Sequence, residues 1–522
     1  MQAIIEEMRN ICALYCDTEI PTRKILELSN EYFCNIRTLY EKLDNEQQSL
    51  CVRFLEDVLE SDDLVIKIYH TSFLLALTWQ EKYLRQLITM AFDSQLSPKE
   101  KSFLYWQLVR KAFVNPALLS GDVNVGLRRL YKQIYEDFKK RLLEGHRWIP
   151  ADARNNNFVV VMTNQFLGPR HSPTQAVVAR CHSLNNAVGK EVCIINTADL
   201  SRTLVMPFFG AVKGHLLDGY IGASTIQFPG KGTLPFYQCQ NLMPDESEMA
   251  KIIQLIENTK PELIFSIGGP NITADLCSNI VPVVTLGNSA DFPVTEGTFS
   301  ILTRKLRQED EFLLDACDIS KDQIIESDYT YQFDEPVTCC TRQELGIPEH
   351  SFALVVVGYR LDAEITREYA QQLDELLKKN PDIFIVFVGE FTNHSEMSAK
   401  YSTFKGQTNY LGKRNDLAAI YDCCDAYLNP RRLGGGASAV EALYRGLPVL
   451  TFAFGDVSYA VEEKDYIESL SDIEQFAAKW LSDAEFREKA KTAAKERAKK
   501  FTDMDKSTRE ILSAIENSQF FR

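Results

Sequence analysis

The strongest constraint on this chain is a set of short, almost wholly apolar runs separated by helical patterns. Phe158–Met162, Phe352–Val357 and Ile383–Val388 are rich in β-branched and aromatic residues and contain no polar alternation. Runs of this length and character read as strands covered on both faces, which is the environment of a parallel sheet. Glu191–Ile195, Glu262–Ser266 and Val281–Leu286 extend the first series, with a helix predicted over Pro173–Val188. The second series continues through Tyr410-Leu411, Ala426–Leu428 and Pro448–Phe452, with helices predicted over Glu364–Lys378, Asp416–Cys423 and Ala437–Arg445. Strand and helix alternate, stop, and start again. The pattern predicts an α/β protein with two doubly wound sheets in series and a cleft between them, where ligands meet the carboxyl ends of strands.

The part before these series is different. Ile4, Met8, Ile11 and Tyr15 recur at helical spacing, as do Leu127, Leu130, Tyr131, Ile134 and Phe138, and Pro21, Pro98 and Pro116 fall between the periodic segments. Residues 1–148 are therefore expected to form an all-α unit, either a cap on the neighbouring domain or a module for acceptor docking or self-association. A linker near Ile149–Asn156 leads into a first α/β domain over 155–330. The second spans 335–522 and ends in a charged helical tail from Asp472.

Composition narrows the function. A formal net charge of -15 over 522 residues argues against a nucleic-acid binder, which needs a basic face to neutralise phosphates. The thirteen cysteines include the neighbours Cys339-Cys340 and Cys423-Cys424 and show no metal-finger spacing. A reducing compartment is the simplest reading. The first residues lack a basic start followed by an apolar run, and Phe73–Trp79 is too short to span a bilayer, so a cytoplasmic protein is expected.

The most informative segment is Asp425–Phe452, DAYLNPRRLGGGASAVEALYRGLPVLTF. A buried strand ends at Asn429-Pro430. Arg431 and Arg432 follow, then Gly434, Gly435 and Gly436, and a helix is predicted to open near Ala437. Glycines directly before a helix let a ligand approach the backbone, and the helix start offers unpaired amides and the positive end of its dipole. With the Ser438 hydroxyl this makes a cradle for a diphosphate. Glu441, about one turn inside the helix, is placed to accept hydrogen bonds from a ribose diol. A Gly-rich turn needed only for tight packing is the plainer alternative.

This combination resembles the donor-site signature of GT-B glycosyltransferases, a Gly-containing loop, a helix with an acidic residue, then small-x-Gly-x-Pro-Val. The likeness is specific over about Thr403–Phe454, and the order of domains extends it over about 155–520. It implies two Rossmann-like domains facing a cleft, with Gly435, Gly436, Ala437 and Ser438 at the donor diphosphate and Glu441 on the ribose. One branch of the fold carries two carboxylates eight residues apart here. In this chain Leu433 occupies the earlier position, and the Gly-Gly-Ala-Ser turn is closer to the branch that resembles protein O-GlcNAc transferases. The leading helical unit is similar in layout to that of bacterial cytoplasmic protein glycosyltransferases.

Other residues join the candidate site on weaker signals. Arg360 closes the first strand of the second domain, where a fork of N–H donors suits phosphate, although pairing with Asp362 or Glu364 explains it equally. Arg432 is expected with Arg360 at the departing diphosphate. Asn429, Lys413 and Arg414 lie at strand ends or turns where a donor nucleotide would pass. In the first domain His171 follows strand one, where a near-neutral imidazole suits proton removal from an acceptor; a helix-capping turn through Ser172 or Thr174 is the alternative. Gly268 ends another strand, and Asp456 is placed to reach sugar hydroxyls. No Asp-x-Asp pair marks a metal, so amides and basic side chains are expected to stabilise the leaving group without a metal or other cofactor.

The expected partners are a nucleotide-sugar donor, a UDP-sugar in preference to GDP, and a protein or glycan acceptor, with association into a homo-oligomer left open. The competing functions are a nucleotide-sugar 2-epimerase and a non-catalytic GT-B partner subunit.

Overall fold

The structure is a computed structural model describing residues 1–16, 19–169, 171–200, 203–228, 232–333 and 338–521. The join expected near 335 lies outside these residues. Seven α-helices open the chain, Gln2–Tyr15, Thr22–Tyr40, Asn45–Val58, Leu64–Thr78, Glu81–Ala91, Pro98–Val114 and Gly121–Leu142. Their starts follow local chemistry. Asp44 with Gln47, and Ser97 with Glu100, form reciprocal capping boxes, and Pro98 sits at the first helical position.

The first α/β unit contains β1 (Asn155–Thr163), β2 (Glu191–Asn196), β3 (Thr225–Phe228), β4 (Gly232–Gln238), β5 (Pro261–Gly268), β6 (Val283–Gly287), β7 (Phe299–Leu302) and β8 (Ile324–Glu326). They form one sheet in the order β3-β4-β2-β1-β5-β6-β7-β8, parallel except for the β3–β4 pair. The second unit contains β9 (Phe352–Gly358), β10 (Ile383–Gly389), β11 (Thr408–Tyr410), β12 (Ala426–Leu428) and β13 (Val449–Leu450), all parallel in the order β11-β10-β9-β12-β13. In both sheets the order reverses at the first strand, beside β5 in one and β12 in the other. These reversals are the switch points at which α/β sheets take ligands.

Two expectations about local structure are corrected. The helix expected over Glu364–Lys378 is two, Leu361–Glu364 and Arg367–Lys379. The Thr366 hydroxyl caps the second by accepting the Tyr369 N–H at 3.2 Å, which restarts the helix. Strands β3, β4, β7 and β8 were absent from the periodic signal because each is short or alternates with exposed residues.

The helical unit does not have a separate core. Phe103, Leu108, Leu130 and Tyr131 belong to one apolar cluster with Val160 and Met162 of β1, Ile195 of β2 and Ile264 of β5. The helices therefore cover one face of the first sheet. The opposite face packs Val159, Val161 and Phe265 against the helix Ser172–Asn186 and against the last helix, Met504–Glu516, through Ile511, Leu512 and Ile515. The last helix, grouped by its position in the chain with the second unit, thus packs on the first. The fully buried Arg180 ties it down, donating to the Thr508 hydroxyl at 2.8 Å and the Ser507 hydroxyl at 3.5 Å. Among the described residues no disulfide joins two cysteines, and no helix is long and apolar enough to cross a membrane.

Ile511→Ala tests the crossing helix. Truncating this side chain, 1% exposed, should cost about 2–5 kcal/mol. Amide exchange should rise in β1 and Ser172–Asn186 while β9 and β10 keep their protection; equal loss in both sheets would contradict the packing described.

Candidate functional site

At the second switch point, β12 runs into Asn429-Pro430, then into a loop whose Gly434 and Gly435 adopt φ of +85° and +88°. Two consecutive left-handed residues turn the chain sharply enough to open a helix at Gly436 (Gly436–Tyr444) directly above the strand end. Among the described residues no side chain caps this helix. Its first backbone bond runs from Ala439 N–H to Gly435 O at 3.1 Å, so the amides of Gly436, Ala437 and Ser438 precede it and point out of the helix end. Gly436 is also sterically required. A Cβ there would lie 2.8 Å from the Tyr331 hydroxyl, and Tyr331 is held by a tilted ring contact with Tyr329 and a stack on Phe333.

A buried ion cluster supports the loop from below. Glu364, at the end of its short helix, accepts Arg360 Nη2 at 3.0 Å on one oxygen and Arg432 Nη1 at 2.6 Å on the other. Arg432 Nε donates to Asn429 Oδ1 at 2.9 Å and Arg432 Nη2 to the Tyr427 hydroxyl at 2.9 Å. Arg360 Nη2 also donates to the Leu433 carbonyl at 2.7 Å, holding the residue just before the glycines. Room for the cluster comes from glycine: a Cβ on Gly358 would stand 2.5 Å from Arg432 Nη1, and one on Gly455 would stand 2.1 Å from the Arg432 carbonyl.

The expected site residues separate into groups. Gly434, Gly435, Gly436, Ala437, Ser438 and Arg360 come together at the loop. The Ser438 hydroxyl is already engaged, 2.9 Å from the Tyr427 hydroxyl and donating to Gly435 O at 3.0 Å. Glu441 lies one turn further in, half-buried and close enough to contribute to the raised pKa of Tyr421, after burial of that phenol. Arg432 and Asn429 are corrected. Both are buried, 5% and 1% exposed. Their polar groups are spent on each other and on Glu364, Tyr427 and Thr451. They position the loop and do not face its open side. Lys413 pairs with Glu390, and Arg414 with Asp416 at 2.6 Å.

Asp456 is also placed differently from expectation. Its Oδ1 accepts the Ala290 N–H at 2.8 Å, and the carboxylate also takes the Gly434 amide. It therefore bridges the β6–β7 connection of the first unit and the glycine loop of the second, and sugar hydroxyls would compete with these bonds. Burial pushes its pKa up to about 6.

At the first switch point β1 ends at Thr163-Asn164 beside Gly268, whose φ is +134°. The Asn164 amide packs against Gly268 and Gly269 and donates to Pro270 O at 3.2 Å. His171 precedes the helix Ser172–Asn186, with Nδ1 2.8 Å from the Thr174 hydroxyl. Burial lowers its pKa to about 4, so the near-neutral imidazole expected from the sequence is replaced by one that is neutral at physiological pH and a weak base. Among the described residues no hydrogen bond joins it to the second unit.

Sequence reasoning missed Tyr331, Tyr427 and the contribution of the helical unit. Trp106 reaches to 3.3 Å from where a Cβ on Gly269 would be, and the Phe113 ring lies 4.2 Å beneath the Arg360 guanidinium.

Two Rossmann-like sheets with opposed switch points, crossed by a final helix, define the GT-B architecture. Solved structures agree. A glycosyltransferase from Rickettsia africae is similar at a TM-score of 0.51 and 11% identity, over 70% of this chain and all of that one. The O-GlcNAc transferase of Thermobaculum terrenum is similar at a TM-score of 0.55 and 12% identity, over 99% of this chain and 98% of that one, helical unit included. At these identities the likeness is one of fold. Residues 341–497, which hold the glycine loop and its supporting cluster, match the family model of glycosyl transferases group 1. The chain has the GT-B fold, and the matched part of its second unit is similar to group 1 glycosyltransferases. No curated protein matches it.

Two tests follow from the cluster. Glu364→Ala would leave Arg432 buried without its counter-charge and should destabilise the fold by about 3–5 kcal/mol, read by denaturant melts; a loss under 1 kcal/mol would refute the supporting role. Asp456→Asn keeps an acceptor but removes the titration. The native Asp, with its folded pKa raised above the unfolded value, is relatively most stable below about pH 4 and loses that advantage as pH rises through 6. Melts from pH 4 to 8 should therefore show the variant gaining on the native protein with pH, and a constant difference would contradict the burial argument.

Proposed function

We propose that this protein transfers a sugar from a nucleotide-sugar donor, a UDP-sugar in preference to GDP, to a protein or glycan acceptor. The observation that carries the reading is the uncapped helix start at Gly436, opened by two left-handed glycines at a sheet switch point inside the segment that matches the group 1 family. Such an entrance offers several amides and a dipole end to one pyrophosphate.

In this reading the amides of Gly436, Ala437 and Ser438 receive the diphosphate, and Glu441 accepts from the ribose hydroxyls. Negative charge builds on the diphosphate as the glycosidic bond to the donor breaks. Preorganised amides and the Arg360 guanidinium stabilise that charge without rearranging, and no metal is required. The acceptor approaches from the first switch point, near Asn164, Gly268 and His171. A neutral His171 accepts a hydrogen bond from the incoming hydroxyl; as a full proton acceptor it would need its pKa raised by the developing negative charge nearby.

Isothermal titration with UDP, and UDP release from a panel of UDP-sugars with and without acceptor, test this directly in the presence of a chelator. The native protein should bind UDP, Glu441→Ala should weaken binding roughly tenfold, and release should depend on acceptor. Absence of nucleotide binding would overturn the proposal, and acceptor-independent conversion of donor would point to the epimerase reading.

A further inference from the structure

The helix Pro98–Val114 spans the cleft. Trp106 touches the first switch point at Gly269, and Phe113 touches the second, with its Cζ 3.7 Å from where a Cβ on Gly434 would be. Seven residues separate them, about 10 Å along a helix axis. Arg110 lies four residues after Trp106 and three before Phe113, so all three share one helix face, the face turned to the cleft.

Arg110 is exposed on that face, and among the described residues no carboxylate pairs with it. Its neighbour is a like charge. Desolvation, then the Arg360 guanidinium, lowers its pKa. Arg360 shares the carboxylate of Glu364 with Arg432 and also feels the buried carboxylate of Asp456, but among the described residues neither carboxylate pairs with Arg110. Arg360 in turn stands 3.5 Å from the Cβ position of Gly434. Two guanidinium groups held near each other at the mouth of a helix start repel unless an anion lies between them.

We infer that Arg110, supplied by the helical unit, binds the donor's diphosphate together with Arg360 and the amides at Gly436. The inference rests on the donor reading above and adds a residue outside both Rossmann-like units. The helical unit then forms a third wall of the donor site as well as a cover for the first sheet. An unpaired arginine offers a bidentate fork to phosphate oxygens, which lysine cannot reproduce.

The test compares UDP with uridine, which lacks the phosphates, on the full chain. Arg110→Gln should weaken UDP roughly tenfold or more and leave uridine affinity unchanged within about twofold. Arg110→Lys should fall between. Because Arg110 is exposed, the variants should melt with the native protein. Unchanged UDP affinity in Arg110→Gln, with Glu441→Ala still weakened, would overturn the role of Arg110 and leave the donor site intact. Equal losses for UDP and uridine would also overturn it, because the effect would then not lie at the phosphates. If the native protein binds neither UDP nor GDP, the donor reading fails and this inference fails with it.

Discussion

The second unit depends on one carboxylate. Glu364 divides its two oxygens between Arg360 and Arg432, and these two side chains hold the glycine loop. Arg432 is bonded to Asn429 and Tyr427, and Arg360 grips the carbonyl of Leu433. A loop with two left-handed glycines is entropically expensive to order. The buried cluster, which would gain little as an isolated ion pair, is justified by the geometry it imposes. It keeps the helix start at Gly436 in one orientation before any ligand arrives.

The same logic explains the placement of the helical unit. A parallel sheet needs cover on both faces. In the first unit one face is covered by the helices before β1 and the other by the final helix, which crosses from the second unit. Because the leading helices share the core of the sheet, the helix Pro98–Val114 is fixed across its strand ends. Asp456 adds a second tie between the units through Ala290 and Gly434. The cleft therefore has walls from three parts of the chain whose positions are set by apolar packing far from it.

Much of this was legible in the residues. The runs Phe352–Val357 and Ile383–Val388 are strands because nothing else buries such segments on both faces, and the Gly434–Gly436 triplet before an apolar helix could only be a close turn. The reading was poorer where a side chain's role depends on a distant partner. Arg432 sits beside the glycines in sequence, yet its guanidinium turns inward to a glutamate 68 positions earlier. Asp456 follows a strand end as a sugar-binding acid would, but a backbone amide from the other unit meets it. His171 carries no mark in sequence of the burial that lowers its pKa. Short strands such as β7 and β8 escaped because three or four residues hold too little periodicity to separate them from loop.

The sequence by itself determined the class of fold, the two strand–helix series and the position of the glycine-led helix, because these follow from local patterns of apolar residues and from the backbone freedom of glycine. The tertiary structure decided which charges are buried and which stay open, where the helical unit lies and which sheet receives the final helix. Those outcomes depend on desolvation and on contacts between residues hundreds of positions apart, and neither quantity is written in any local stretch of chain.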